Sequence, residues 1–423
     1  MRRLVEFISP SKCSRCGHDV SVKVGKSKSH KFFFLSCGEC GQEIEVSMPE
    51  FITELLPTML DLKSENLERS FKNGNIKFYS GQGVEGLQFR KDVGHIESGT
   101  MICFGNKIEI VRGFPKIRRT LLLNPSLANH FKTKVAVEEK MNGYNVRLAL
   151  INHKIKAFTR GGYICPYTTK KAPEILDMED FFNDNPELVI CGEMVGTENP
   201  YVTHHYREIG KLGFRIFDLR YKTTNETLTI KEKYQLLDSY NLPSVKSYGI
   251  IPIEEAVERI FDIIEVMGNE DREGVVIKDP EMVIEPVKYT TSRAHLGEIE
   301  YAFNYPFDFG RSFFFSRVIR EGFQAFELDE SEDEIRKRAH LLGESILFPM
   351  VNTIKHISGD NSAFEDIVIH VENKDDAEEF ARHLRDLGVV AIVHSFDNGK
   401  AVIRRIHQST TDRISNYLRG GLY

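Results

Sequence analysis

A chain of 423 residues is longer than the roughly 250–300 residues at which a single hydrophobic core stops growing, so several domains are expected. Its 41% hydrophobic and 28% charged residues exclude a disordered or fibrous chain. No apolar run reaches the roughly 18 residues of a membrane span and residues 1–7 lack the apolar core of a secretory signal, so a cytoplasmic location without a membrane partner is expected. The formal charge of −6 leaves a nucleic-acid partner open, because phosphate binding depends on local patches rather than on the sum.

Four of the seven cysteines pair as Cys13-Ser14-Arg15-Cys16 and Cys37-Gly38-Glu39-Cys40. Two such pairs set four thiolates on two tight turns, a donor set suited to structural zinc with no coordination position left open. Gly17, Gly38 and Gly41 suit the turns. The redox reading of such a pair requires a neighbouring βαβ pattern, which is missing. The β-formers between the pairs predict a small antiparallel sheet. Its Lys23, Lys26, Lys28 and Lys31 make it a candidate grip on nucleic acid, the alternative being a brace for its neighbour. Cys103, Cys165 and Cys191 stand alone among apolar residues and read as core.

Residues 50–68 carry Phe51, Leu55, Leu56, Met59, Leu60 and Leu62, a spacing that predicts a connecting helix. Residues 74–290 are short apolar runs broken by Gly, Asn and Pro, with helical patterns only near 173–183, 231–240 and 254–267. This predicts an α+β domain built on antiparallel sheets. Gly81-Gln82-Gly83-Val84-Glu85-Gly86 matches a dinucleotide fingerprint but leads into strand and turn rather than a helix, and is set aside. Residues 107–134 hold Lys107, Arg112, Lys116, Arg118, Arg119, Lys132 and Lys134 against the single acid Glu109, a patch able to face phosphates. His204-His205 lacks ligand spacing and reads as polar surface or an RNA-touching loop, and the sequon at Asn225 is not expected to be used. Residues 291–358 turn helical, with the acidic run 327–334 read as a solvated helix start. The last 65 or so residues read β-α-β-β-α. The expected division is a zinc ribbon at 1–50, a connector and lead-in at 51–134, a catalytic domain at 135–290, a helical segment at 291–360 and a small α/β domain at 361–423.

Lys140 follows the β-rich run Lys134-Val135-Ala136-Val137-Glu138-Glu139 and precedes the turn formers Asn142-Gly143. A lysine amine becomes a nucleophile when neighbouring cations or desolvation favour its neutral form. Attack on the α-phosphate of ATP would give a phosphoramide that stores the activation. Taken alone, this stretch also reads as a solvated lysine in a hairpin turn.

The later sequence adds order. The stretch around Lys140 resembles motif I of the covalent nucleotidyltransferases, the superfamily of ATP-dependent ligases and capping enzymes. Phe158-Thr159-Arg160-Gly161 resembles their arginine motif, Val189-Ile190-Cys191-Gly192-Glu193-Met194 motif III, and Arg215-Ile216-Phe217-Asp218 motif IIIa. Arg272-Glu273-Gly274-Val275-Val276-Ile277-Lys278 resembles motif IV and Pro286-Val287-Lys288-Tyr289 motif V. The resemblance implies that Arg160 contacts ribose and the incoming end, Glu193 holds ribose and Phe217 stacks on adenine. It also implies that Glu273 assists Mg²⁺ or Mn²⁺ while Lys278 and Lys288 lie near the phosphates. Such lysines would lower the pKa of Lys140 and offset charge on the pentavalent phosphorus. Glu138, Glu139, Asn142, Gly143 and Asn145 complete the expected nucleotide contacts.

The long run through Tyr144-Asn145-Val146-Arg147, the basic lead-in Val111-Arg112-Gly113-Phe114 and the helical segment after motif V are similar to the archaeal homodimeric RNA ligase family, over roughly residues 75–423. The zinc ribbon lies outside the resemblance. Asn142 replaces the Asp of DNA ligases, and a single lysine, Lys288, stands where many ligases show two, so part of its role is expected to fall to Lys278. The resemblance implies an ATP-dependent RNA ligase, a homodimer, that joins 5'-phosphate and 3'-hydroxyl RNA ends through lysyl-AMP. A DNA ligase, a GTP-using capping-type transferase and a noncatalytic zinc-ribbon RNA-binding protein are the rival readings. The helical rather than β-rich segment after motif V disfavours the first two, and the presence of Lys140 and Glu273 disfavours the third.

Overall fold

The computed structural model describes residues 12–26 and 31–422; residues 1–7 and Lys28, on which two expectations bear, lie outside the described residues. Strands β1 (Val20–Lys26), β2 (Lys31–Cys37) and β3 (Glu43–Ser47) form the expected antiparallel sheet. Alternation turns Val20, Val22, Phe33, Leu35 and Val46 inward, while Lys23 is exposed.

The expected connecting helix is broken. A helical turn Met48–Glu50, a π-helical stretch Phe51–Leu55 and a short helix Leu56–Leu60 end at Asp61, whose φ of 50° is left-handed, before α1 (Ser64–Lys72). Pro57 supplies the reason. It has no N–H to give the carbonyl of Thr53, which instead accepts from Ser64 Oγ at 2.9 Å.

Beyond α1, strands β4 (Ile76–Gly81), β5 (Val84–Phe89), β6 (Met101–Phe104) and β7 (Glu109–Val111) form an antiparallel sheet in chain order. The glycine pattern at 81–86 is the β4–β5 hairpin turn, with Gln82 and Gly83 at φ of 55° and 69°. This sheet and the ribbon share one core. Phe33 lies 4.8 Å from Phe51 and 5.0 Å from Phe104 between ring centroids, and Val22 N donates to Gly105 O at 2.8 Å.

Residues 118–290 hold two further sheets. After β8 (Arg118–Arg119) come β9 (Lys134–Lys140), β10 (Tyr144–Ile151) and β11 (Lys154–Thr159). The helix expected at 173–183 is two, α2 (Pro166–Ile175) and a short helix Glu179–Asp184, because Leu176 is extended. Next are β12 (Leu188–Val195), β13 (Gly213–Tyr221), α3 (Ile230–Ser239), β14 (Ser247–Pro252), α4 (Ile253–Asn269), β15 (Gly274–Lys278) and β16 (Val287–Thr290). One sheet runs β11-β10-β12-β13, the other β14-β9-β15-β16-β8. In the second, Val135, Val137, Val275, Ile277 and Tyr289 pack on Ala256, Ile260 and Ile264 of α4, which leaves the opposite face for chemistry.

Helices α5 (Ser292–Asn304), α6 (Arg311–Glu327) and α7 (Glu332–Ser358) follow, close to expectation. The last unit is β17 (Phe364–His370), α8 (Lys374–Asp386), β18 (Val390–Asp397), β19 (Lys400–Ile406) and α9 (Gln408–Leu418), with sheet order β17-β19-β18. It docks through His370–Glu198 at 2.9 Å, beyond β12, and through Gln82–Glu379 at 2.9 Å, at the β4–β5 turn. No helix among the described residues is long and apolar enough to cross a membrane.

Two charge readings need correction. In the acidic run, Glu327 accepts from Tyr289 Oη at 3.0 Å and Asn124 N at 3.1 Å, and Glu330 accepts from Arg338 Nε at 2.9 Å. Only the part from Glu332 to Glu334, capped by Ser331, behaves as an exposed helix start. In the basic stretch, Arg112 is buried, with Glu97 at 2.8 Å and His95 O at 2.7 Å, so it serves the fold rather than a phosphate. Because the ribbon and the β4–β7 sheet share Phe33, Phe33→Ala is expected to cost about 3–5 kcal/mol. The check is denaturant unfolding of the full chain: the loss should appear in the main transition, and an early transition confined to the ribbon would contradict a shared core.

Candidate active site

Lys140 ends β9, and the register sets what surrounds it. Lys140 lies opposite Gly274 on β15, Glu138 lies opposite Val276, and Val276 lies opposite Lys288 on β16. Residues directly across an antiparallel pair share a face, so Glu138, Lys140, Lys278 and Lys288 all project from the side that α4 leaves free. Glu273, just before β15, reaches Lys140 Nζ at 2.5 Å.

The other sheet supplies the facing wall. On β12, Glu193 is paired with Asn145 and Arg215. The β12–β13 register slips between Cys191 and Gly192, which oppose Asp218 and Ile216. Phe217 is therefore the extra residue of a β-bulge, a device that re-aims a side chain. Its ring meets Phe114 edge-on at 5.2 Å. Its carbonyl accepts from Lys278 at 2.8 Å and Lys233 at 3.0 Å.

All the residues proposed above for catalysis and nucleotide contact (Lys140, Glu273, Lys278, Lys288, Glu138, Glu139, Asn142, Gly143, Asn145, Arg160, Glu193 and Phe217) line one cavity of about 1260 Å³. They are not equally free. Lys278 is buried between Asp218 Oδ1 at 2.7 Å and Glu138 Oε2 at 2.8 Å, which places it in the cavity floor. Glu139 pairs with Arg272 at 2.6 Å. By contrast Asn145 Oδ1 is buried without a partner among the described residues, as a ligand contact would be. A side chain at Gly143 would place Cβ 2.2 Å from Met194 O, so glycine there permits close approach of two backbones. Arg160 sits on a loop held by buried Arg147, whose Nη2 donates to Gly99 O at 2.9 Å and Thr159 O at 3.0 Å.

Electrostatics sharpen the picture. Burial, helped by Lys140 and Arg119, pushes Lys288 down to about 8. Burial pushes Glu193 up to about 8, with Glu273 adding to the shift and Lys140, Arg160 and Lys288 opposing it. Burial alone would raise Glu138 as well, but Lys278 and Lys233 hold it below the usual carboxylate range.

Some lining residues were not singled out in the sequence. Phe114 stands there only as part of the basic lead-in, and Tyr206, whose Oη accepts from Asn142 N at 2.6 Å, supports a lining residue without being named there. His204, expected at the surface, lines the cavity. Tyr301, Phe313, Phe348 and Glu365 reach it from the C-terminal region.

Away from the cavity, Cys13, Cys16, Cys37 and Cys40 place all four Sγ atoms within 4.8 Å of one another, an all-thiol set of tetrahedral type.

Two outcomes are expected from this geometry. Gly143→Ala should destabilise the chain by about 1–3 kcal/mol, measured by thermal unfolding. For Glu193, a raised folded pKa contributes stability that is present below the unfolded carboxylate value and lost as pH rises through about 8. Glu193→Gln has no proton to lose there, so its melting temperature relative to wild type should climb between pH 5 and pH 9; parallel curves would contradict the shift.

Comparison with known proteins agrees with this geometry. A model of the RNA ligase family matches residues 133–290, and a model of the Ligase Pab1020 C-terminal region matches residues 301–421. An uncharacterized protein of Methanocaldococcus jannaschii, MJ0414, is 39% identical over 376 residues, covering 86% of this chain and 95% of that one. Structures of two forms of an archaeal ATP-dependent RNA ligase are 55% identical, cover 88% of this chain and 99% of theirs, and superpose with a TM-score of 0.85. A protein of Aquifex aeolicus provisionally assigned as an ATP-dependent DNA ligase is more distant, at 26% identity and a TM-score of 0.79 over 85% of this chain and 99% of that one. The chain therefore belongs to the family of archaeal ATP-dependent RNA ligases.

Proposed function

We propose that this chain seals RNA 5'-phosphate and 3'-hydroxyl ends at the expense of ATP, with Lys140 as the nucleophile. The observation that carries the reading is Lys140 at a strand end, 2.5 Å from Glu273, in one cavity with Lys288, Glu193, Arg160 and Phe217. Lys140 gives up both the proton and the pairing before it attacks. Its Nζ then bonds to the α-phosphorus and pyrophosphate leaves. An oxygen of the RNA 5'-phosphate attacks that phosphorus, breaking the P–N bond and returning the amine. The 3'-hydroxyl attacks the RNA phosphorus, and AMP leaves.

The other residues divide the binding work. Phe217, with Phe114 behind it, offers an aromatic face for the base, and the unpartnered Asn145 oxygen offers an acceptor. Arg160 and Lys288 face phosphate and counter its charge. Glu139 acts through Arg272, and Glu138 through the floor that it shares with Lys278. Glu193 is placed to hold ribose, and Glu273 is the carboxylate fitted to a hard divalent ion, Mg²⁺ or Mn²⁺, which bound to the phosphates would supply charge neutralisation. The four-cysteine set fits zinc in a structural role.

We also assign the apolar face of α6 and α7, where Phe315, Phe326, Leu347 and Phe348 are exposed, to a homodimer contact, since such a patch is unusual on a monomer. The free cysteines suit the cytoplasm. The proposed division places the catalytic domain at 135–290, a helical dimerisation segment at 291–360 and a small α/β domain at 361–423.

Three measurements test the reading. Incubation with α-labelled ATP and Mg²⁺ should leave a covalent label on wild type that Lys140→Ala abolishes; equal label on both would sink the mechanism. Adding 5'-phosphorylated strands should give joined product from RNA in preference to DNA. Light scattering should return twice the chain mass, falling to one chain mass for Phe326→Glu/Leu347→Glu.

A further inference from the structure

The lysine named Lys233 lies outside every motif that carries the family resemblance, on α3 rather than on either sheet. It is buried, with 1% exposure. Its Nζ donates to Glu138 Oε1 and to Phe217 O at 3.0 Å, and lies 4.4 Å from the centre of the Tyr234 ring. Tyr234 Oη donates to the same Glu138 oxygen at 2.8 Å.

Two of these partners are walls of the nucleotide cavity. Glu138 is two residues before the nucleophile on β9, and Phe217 is the bulged residue of β13. A bulge frees its residue's carbonyl from the sheet ladder, and a buried carbonyl without a donor is costly. Lys278 satisfies this carbonyl from β15, in the sheet that carries the nucleophile. Lys233 satisfies it from a helix, at the cost of placing a charged amine in the interior, where burial and Lys278 push its pKa down to about 8. Only a group that reaches both Glu138 and the Phe217 carbonyl ties one sheet's nucleophile strand to the other sheet's bulge.

We propose that Lys233 is a positioning residue for the nucleotide: it fixes the bulge that aims the Phe217 ring, and it holds Glu138 against that bulge, without touching ATP itself. The inference rests on the ligase reading above and extends it to a residue of α3. Lys278 alone does not replace it. Lys278 also serves Asp218, and its bond to Glu138 is to the other carboxylate oxygen, so removing Lys233 leaves Glu138 Oε1 to Tyr234 and frees the carboxylate to turn.

The test measures self-adenylylation of the full chain over a range of ATP concentrations. Lys233→Met is expected to raise the KM for ATP by about tenfold, the loss of a hydrogen bond to a charged group, with the larger part of the defect in KM rather than in the rate at saturating ATP. Because Lys233 acts through the aim of the ring, the same substitution made in a Phe217→Ala background should raise KM by less than about threefold. A residue that merely stabilises the fold would lower the melting temperature and leave KM in place. A folded Lys233→Met protein with wild-type KM, or a KM increase undiminished in the Phe217→Ala background, would overturn the proposal. Should Lys233→Met not fold, since it strands a buried carboxylate, Lys233→Met/Glu138→Gln leaves neither charge unpaired; it is expected to show the raised KM, and a wild-type KM there overturns the proposal equally. Wild type that takes no label from ATP would instead remove the ligase reading on which the inference stands.

Discussion

Glu138, held between two buried lysines, joins the sheets that face each other across the cavity. It belongs to β9, while Lys278 comes from β15, Lys233 from α3, and the Phe217 carbonyl and Asp218 that the lysines also reach belong to β13. Each of these charges would cost several kcal/mol if buried alone. Paired with one another, they tie β9 to β13 across the cavity. The cavity inherits its width from that arrangement, and Lys140, two residues beyond Glu138, inherits its position.

Lys140 pairs with Glu273 at 2.5 Å, and the half-buried Lys288 lines the same cavity. Phosphate brought beside Lys288 favours that lysine's own charged form, whose pKa burial had lowered. The chain's net charge of −6 has no bearing on this, because what matters lies within one Debye length of the cavity, roughly 8–10 Å at ordinary salt.

Much of the site was legible because each motif is a strand end or a turn, and short-range sequence order preserves it. Lys140, Glu273, Glu193 and Lys288 could be named, and the register then brought them together. The four cysteines were legible for the same reason, their ligand spacing being local. What was not legible depends on tertiary placement. Lys233 reads as one more charge on an amphipathic helix, and only the packing of α3 onto the β10–β13 sheet, with the amine reaching Glu138 and Phe217 O, reveals it as buried. Phe114 stands in the sequence only as part of the basic lead-in, and the slip in the β12–β13 register that lifts Phe217 toward it has no marker in the sequence beyond Gly192, whose Cβ would strike Phe214 at 2.2 Å. Glu327 read as solvated because its partners, Asn124 and Tyr289, lie far away in the chain. Pro57 was visible, but the π-helical detour that precedes it depends on how Phe51 and Ile52 fill the shared core.

That shared core changes what the ribbon is. Phe33, Leu35 and Phe51 cover Leu87, Ile102 and Phe104, so the β4–β7 sheet has no second apolar lid of its own on that side. A shortened chain beginning beyond the connector would present those side chains to water and invite self-association through them. Any natural ligase that carries this sheet without a ribbon has to solve the same problem, with polar residues at those positions or with another element laid across them. The ribbon is thus part of the wall of the building, and its unfolding would be felt first as exposed apolar surface and only later, through the strands that support Gly99 and the Arg160 loop, at the site.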